Sequence, residues 1–493
     1  MNNFFTADQH FCHENIITKF VFRPFQDVEH MNSEIIKRFN SRVKPGDTVY
    51  HLGDFKMTNN GPNTYELLGK LNGRHVFVKG NHDCMSLDTR ILTVKGYKFY
   101  NEIAIGDLIP TLNTELGKVE IKPIRDIIIN PVNWAYSFKS KTAEGVFSNN
   151  HDLLVTACVS KKNIHKEKCS ELWKRKAFFN VIASHGSGNT EYQITDDEIK
   201  FIGWIFTDGG IDRRGEKFVS CGIWQSKEDN IIYIRNLLRR LGLTFTEKAT
   251  SKQTKEICGR KLKSCKDSIY FYINAESSRN ILGRVKIISK YDVQEWMYQL
   301  SDRQMVVLID EMVKGDGSIA NSGTKVIWGN KVFLDKILGL CVTHGIDANM
   351  VQDVRGNYYL SIHVKTKEKR IFDVRQIHQD HRHITPYSKN MWCVNVDNHN
   401  IFIELNGKPL ICGNSNNGTS TCLHYGIIEL YNQQIVLAHR PEEAEVLMAV
   451  MSIKLGFCGH VHEKWKFKEN EHGLIVNVGV DVWDYYPIDV KQI

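Results

Sequence analysis

The sequence predicts a multi-domain chain in which an α/β domain formed by the two ends is interrupted by a long insert that itself holds more than one part. Three observations carry this. Apolar strands that empty into metal-ligand residues stop at residue 83 and resume after residue 414; the chain changes character at Cys84 and again at Asn414-Ser415; and two apolar helical runs within the insert each end in Asp-Gly. At 493 residues the chain is too long for one core, and length alone points to roughly three domains.

Hydrophobic residues make up 42% and charged residues 24%, an ordinary balance that excludes a largely disordered chain. The opening Met1-Asn2-Asn3-Phe4-Phe5-Thr6 has no basic or apolar leader, and no run of about 18 apolar residues follows, so a cytoplasmic protein with no membrane partner is expected. Twelve cysteines without a C-x-x-C pair suggest neither a zinc knuckle nor a disulfide framework. Net charge is a mild +8, but basic residues gather in Lys161 to Lys176 and in Lys252 to Lys266, as suits a polyanion partner.

The first strand, Phe4-Phe5-Thr6, leads to Asp8 and His10. The next, Val49 to Leu52, leads to Gly53-Asp54, and His75 to Val78 leads to Gly80-Asn81-His82-Asp83. After the insert, Ile435 to Leu437 leads to His439, and Leu455 to Phe457 leads to Gly459-His460-Val461-His462. Loops at the C-terminal ends of strands build sites in α/β architecture, so these residues can converge. In order, D-x-H, G-D, G-N-H-D, H and G-H-x-H resemble the calcineurin-like metallophosphoesterases over residues 1–83 and 415–493. The resemblance implies an α/β sandwich split by the insert. It implies one metal ion on Asp8, His10, Asp54 and His462, with Asp54 bridging to a second on Asn81, His439 and His460, and His82 beside the phosphate. Such mixed ligands suit Mn²⁺, Fe or Zn²⁺, and a pair of ions would promote attack of hydroxide on a phosphoester whose identity the sequence leaves open.

The insert opens with Cys84-Met85-Ser86-Leu87 and closes with Cys412-Gly413-Asn414-Ser415. Between lie Phe147-Ser148-Asn149-Asn150-His151 and Met391-Trp392-Cys393-Val394-Asn395-Val396-Asp397-Asn398-His399. These blocks resemble those of inteins, which implies an all-β Hint splicing domain in two parts, residues 84–190 and 376–414, working without a cofactor. The Cys84 thiol can attack the Asp83 carbonyl if a group protonates the departing nitrogen. The resemblance makes His151 that acid and puts Ser148, where Thr is usual, at the oxyanion. Ser415 then takes over the N-terminal fragment, Asn414 cyclises to release the insert, and Cys393 and His399 move protons in these later steps. Gly413 stands where the family usually has His. The alternative is a Hint domain that cleaves without ligating. Because the ligand set is split by the insert, full phosphoesterase geometry is expected to wait for ligation.

Phe201 to Gly209 and Val307 to Gly317 are the two helical runs ending in Asp-Gly, where glycine lets the chain leave the helix behind the acid. They resemble the paired helices of LAGLIDADG (DOD-type) homing endonucleases. That implies an α+β domain over residues 191–375 in two αββαββα-like halves, with Asp208 and Asp316 binding Mg²⁺ and double-stranded DNA as partner. Alternating segments such as Ser268 to Ile273 suit strands lying in a major groove. Gly203 is the small residue expected at the helix crossing, but Glu311 at the matching place implies looser packing there. The alternative is an endonuclease decayed to a DNA-binding or spacer domain.

Overall fold

The computed structural model describes residues 2–56, 62, 64–78, 84–132, 134–156, 164–250, 256–257, 260–261, 268–363, 371–414, 422–423 and 426–493. It forms two compact units, Met1–His82 with Gly418–Ile493, and Asp83–Asn417. The fold is multi-domain, built mostly of β-sheet with some helices.

In the first unit, one five-stranded sheet runs Cys422–Leu423, Arg74–Val78, Thr48–Leu52, Asn3–Thr6, Ile488–Asp489, with only the last antiparallel to its neighbour. A second runs Gly426–Leu430, Gln433–Leu437, Leu455–Cys458, Gly473–Asn477, Phe467–Asn470, parallel across its three central strands. Side-chain alternation along Asn3–Thr6 sends successive phenylalanines to opposite faces. Phe5 joins Leu52, Leu437, Phe457 and Val476 between the sheets, whereas Phe4 meets the helix Val28–Arg42 through Met31, Ile35 and Phe39. Those three positions recur every fourth residue, and Asp27 caps the helix by accepting from His30 N at 2.8 Å. The helix Pro441–Met451, with proline in its first turn, covers the outer face of the second sheet through Ala444 and Met448. The result is a helix–sheet–sheet–helix layering, and the strands' C-terminal ends open at one edge where Ala7 pairs with Gly479.

The second unit contains a six-stranded and an eight-stranded sheet contributed by residues 85–185 and 372–413. Cys84, Met85, Phe147, Trp392 and Cys393 lie in their core. Between these segments the chain twice repeats the order helix, two strands, helix, two strands. The first copy begins with the helix Asp196–Phe206 and the second with Asp302–Asp316, and each sheet takes the order first, second, fourth, third. Both leading helices start on a capping box, Thr195 with Glu198 and Ser301 with Gln304.

The parts of the insert expected to be separate domains share a core. Leu92, Tyr97, Leu112, Leu154 and Ile182 belong to one hydrophobic cluster with Phe206, Leu308 and Leu338. The helix Lys331–Thr343 is buried over most of its length. A Cβ on its Gly339 would meet Leu92 Cδ1 at 2.5 Å. Arg90 forks onto Asp335 at 2.7 and 2.9 Å and donates through Nε to Glu404 at 2.7 Å.

Candidate functional site

At the open edge of the first unit, five residues leave their strands in the left-handed region: Asp8 (φ 56°), His10 (52°), Asp54 (49°), His460 (70°) and His462 (49°). Non-glycine residues rarely adopt it, and such strain gathers where side chains must be aimed rather than merely packed. The donor atoms of Asp8, His10 and His462 lie within 4.8 Å of one another, and so do those of Asp54, His439 and His460. Asp54 Oδ2 stands 3.7 Å from His10 Nε2 and 3.6 Å from His439 Nε2, joining the two groups. The Nδ1 of His439 donates to Leu52 O at 2.7 Å, which leaves Nε2 with its lone pair facing inward. Asp8 Oδ2 accepts from His460 N at 2.8 Å.

Two buried atoms, Asp8 Oδ1 and His10 Nε2, have no hydrogen-bond partner among the described residues. Buried polar atoms are nearly always satisfied, so a carboxylate and imidazoles converging with unspent lone pairs fit a divalent cation. Burial pushes Asp8 up to about 6, His10 down to about 3 and His460 down to about 4, which favours the neutral, ligating form of those two imidazoles. Burial also works against Asp54, but His439 and His10 outweigh it and hold the carboxyl below its ordinary value. Six of the seven residues expected from sequence to hold metal thus meet in the full-length chain, while the expectation that the full geometry waits for ligation turns on residues not among them. The seventh, Asn81, and His82, expected beside the phosphate, lie outside the described residues.

Sequence reasoning missed two residues here. His462 Nδ1 lies 2.8 Å from Asp481 Oδ2, and Arg23 forks onto Asp481 at 2.8 and 2.9 Å. Burial lowers His462, but the Asp481 hydrogen bond and the Asp8 and Asp481 charges together outweigh it, so the net shift is upward. A signal existed for Asp481, since Gly473–Asn477 is one more apolar strand emptying into a carboxylate. Arg23 offered none.

In the second unit, Cys84 N donates to Ser148 Oγ at 3.0 Å and Ser148 N donates to Cys84 O at 2.9 Å. The Ser148 hydroxyl, expected at the oxyanion, therefore faces the nitrogen of the Asp83–Cys84 peptide bond. His151 follows in a turn, fully buried and stacked on the Phe147 ring at 4.7 Å. At the other edge, buried Asn414 donates through Nδ2 to Val396 O at 3.3 Å, and His399 N donates to the same carbonyl at 3.0 Å. His399 is itself left-handed (φ 53°), its imidazole pKa lowered by burial and by Lys166, whose Nζ donates to the His399 carbonyl. The strand Asn390–Asn395, with Cys393 buried, pairs with Met85–Ser86. A Cβ built on Gly413 would stand 2.7 Å from Asp152 Cβ and 3.0 Å from Asp152 O. Ser415 lies outside the described residues.

The two leading helices of the repeat cross closely. A Cβ on Gly203 would meet Glu311 Cβ at 2.8 Å, and one on Gly315 would meet Thr207 Oγ1 at 2.2 Å. Each contact thus pairs one glycine with one larger residue, and the crossing is not looser at Glu311 as the sequence implied. The Glu311 carboxylate is accommodated because Trp204 Nε1 and the Tyr233 hydroxyl donate to it at 3.0 and 2.8 Å. The crossing delivers Asp208 and Asp316 to one end, where burial and then the Asp316 charge push Asp208 up to about 6. Gln225 Nε2 donates to Asp208 at 3.1 Å. Each sheet carries a half-exposed tryptophan beside a cross-strand tyrosine, Trp224 with Tyr270 (4.2 Å) and Trp328 with Tyr359 (4.7 Å). The basic stretch Lys252 to Lys266 lies almost entirely outside the described residues.

No family model matches the chain. An uncharacterised protein of Methanocaldococcus jannaschii is 46% identical over 94 residues, 19% of this chain and 53% of that protein. The chain thus spans about half the length of this curated relative. A solved structure of mesophilic variants of the homing endonuclease I-DmoI is 16% identical over 34% of this chain and 89% of its own, with a TM-score of 0.25. A protein of unknown function from Aquifex aeolicus is 37% identical over 16% of this chain and 42% of its own, TM-score 0.14. A variant of the Ssp DnaB mini-intein is 12% identical over 22% and 66%, TM-score 0.18. Overlaps this slight carry no argument about the fold.

Proposed function

We propose that the chain is a self-splicing precursor: residues 84–414 form an intein with an internal DNA-cleaving domain, and the joined ends form a dinuclear-metal phosphoesterase. The observation that carries the reading is the convergence of Asp8, His10 and Asp54 with His439, His460 and His462, which stand on opposite sides of an insert that forms its own compact unit. A chain arranged in this way regains a continuous enzyme by losing its middle.

In splicing, the Cys84 sulfur adds to the Asp83 carbonyl carbon and the peptide nitrogen leaves with a proton from His151. Ser148, beside that nitrogen, orients the amide for departure. The Ser415 oxygen displaces the Cys84 thiolate, and the Asn414 side-chain nitrogen attacks its own carbonyl carbon, breaking the bond to Ser415 and freeing its amino group. That nitrogen then takes the Asp83 acyl group from the ester oxygen, leaving an amide. The held contacts of Asn414 and His399 on Val396 O support a preorganised cyclisation step.

In the phosphoesterase, Asp8, His10, His462 and Asp54 would hold one cation and Asp54, Asn81, His439 and His460 the other. Bound there, divalent ions supply Lewis acidity toward a phosphate oxygen and lower the pKa of water. The residues themselves aim two carboxylates and several imidazoles at one place, with His10 and His460 favoured in the neutral form. Within the insert, Asp208 and Asp316 would bind Mg²⁺ at a DNA backbone, with the two sheets lying on the duplex.

Intact mass of the purified protein tests the reading. Wild type should yield the joined product carrying an Asp83–Ser415 peptide together with free insert, while Cys84→Ala should yield full-length chain alone. Full-length chain from both would overturn splicing. Separately, the joined product should hydrolyse bis-p-nitrophenyl phosphate with Mn²⁺ and lose this with Asp54→Asn.

A further inference from the structure

Arg23 is a heavily committed side chain of the first unit that the proposed chemistry does not use. Its side chain is wholly buried and that of Asp481 is 3% exposed. Besides its fork onto Asp481, Arg23 donates through Nη2 to Asp8 O at 2.7 Å and through Nη1 to Gln9 O at 2.8 Å. Both carbonyls belong to the left-handed loop that aims Asp8 and His10. Asp481, for its part, accepts from His462 Nδ1 and so turns Nε2 toward the same donor group.

The charges explain why the pair survives burial. A guanidinium and a carboxylate out of water are costly unless every donor and lone pair is used. Here the fork, two carbonyls and an imidazole use nearly all of them. An apolar pair of the same volume would fill the space as well, but it would hold neither the loop carbonyls nor the imidazole.

We propose that Arg23 and Asp481 are positioning residues that lock Asp8, His10 and His462 into a cation site already competent in the unspliced chain. Arg23 precedes the insert and Asp481 follows it, so the clamp closes the site across the interruption without the Asp83–Ser415 bond. The proposal rests on the phosphoesterase reading, because it needs that donor group to bind metal.

The test uses full-length chain carrying Cys84→Ala and Asn414→Ala, stripped with EDTA and titrated with Mn²⁺ while free ion is followed by electron paramagnetic resonance. The background chain should bind Mn²⁺. Arg23→Lys, which keeps the charge but not the fork, and Asp481→Asn should each weaken the tightest site by roughly 10- to 100-fold, with far-UV circular dichroism unchanged. Asp481→Glu should recover part of the loss. Should Asp481→Asn fail to fold, Arg23→Lys decides the matter. Unchanged affinity in the folded variants overturns the clamp and leaves the phosphoesterase reading standing; a background chain that binds no Mn²⁺ overturns a site competent before splicing, and the phosphoesterase reading falls as well only if the joined product also binds none.

Discussion

Asp335→Ala should destabilise the insert although Asp335 lies far in sequence from the residues proposed for splicing. Its carboxylate receives the Arg90 fork, and the same guanidinium reaches Glu404, with side-chain exposures of 11%, 11% and 3% for Arg90, Asp335 and Glu404. Removing one partner of a buried pair costs about 3–5 kcal/mol, chiefly because the other charge is left without compensation. Glu404 still faces Arg90 in the variant, so the lower end, about 3 kcal/mol, is expected. With a urea dependence of about 3 kcal/mol per molar, the unfolding midpoint of the insert should fall by about 1 M. Tryptophan fluorescence on the Cys84→Ala, Asn414→Ala chain follows the transition. Asp310→Ala is the control, since Asp310 is 45% exposed beside Lys325 and its loss should stay within about 0.5 kcal/mol. Equal, small shifts for both variants would sink the idea that the repeat braces the splicing strands.

Gly413→His, which introduces the residue usual in inteins, should slow the proposed release of the C-terminal segment rather than speed it, because Asp152 occupies the space its Cβ needs; a gel time course reads the outcome, and faster release contradicts it. Gly315→Val should cost about 1–3 kcal/mol in the insert's unfolding and abolish plasmid cleavage, since Thr207 stands where its Cβ would go; unaltered cleavage counts against the crossing. Asp208 has a folded pKa of about 6, above its ordinary value of 3.8, so the native state holds the extra proton and stability falls as pH rises between those values. In EDTA, Asp208→Asn should therefore raise the melting temperature at pH 7 and leave it little changed below pH 4, and equal gains at both would refute the assignment. The same variant should abolish cleavage with Mg²⁺ of a plasmid carrying the uninterrupted host gene. If wild type leaves that plasmid uncut, the endonuclease has decayed.

What was legible in the sequence was whatever a local pattern encodes. An apolar strand followed by Asp or His announces the element and sets a polar side chain at its end, which is why the meeting of Asp8, His10, Asp54, His439, His460 and His462 could be expected. The paired Asp-Gly helix ends revealed Asp208 and Asp316 for the same reason. Roles set by contacts across the chain left no such trace. Arg23 looks like any surface arginine until Asp481 meets it. Glu311 was read against one residue, Gly203, although the volume that matters is that of each facing pair, and each pair contains one glycine. The shared core of the insert was hidden because Leu92, Ile182 and Leu338 carry ordinary strand and helix patterns that do not say which element they will meet.

That distinction also bears on what the proposed splicing would change in the two ends of the chain. Ligand-bearing loops on both sides of the insert already converge, held by parallel strand pairing within each sheet and by Phe5, Leu437 and Phe457 between them. Burial of those side chains does not require the Asp83–Ser415 bond, since association of the two halves within one chain needs only that their ends be tethered, and the insert is itself a tether. Ligation can therefore act only where the chain is interrupted. Asn81 and His82 are the residues at that place, proposed for the second cation and for the phosphate. An unspliced chain should accordingly retain its first cation site and be deficient in turnover, a separation that metal titration and phosphoester hydrolysis read independently.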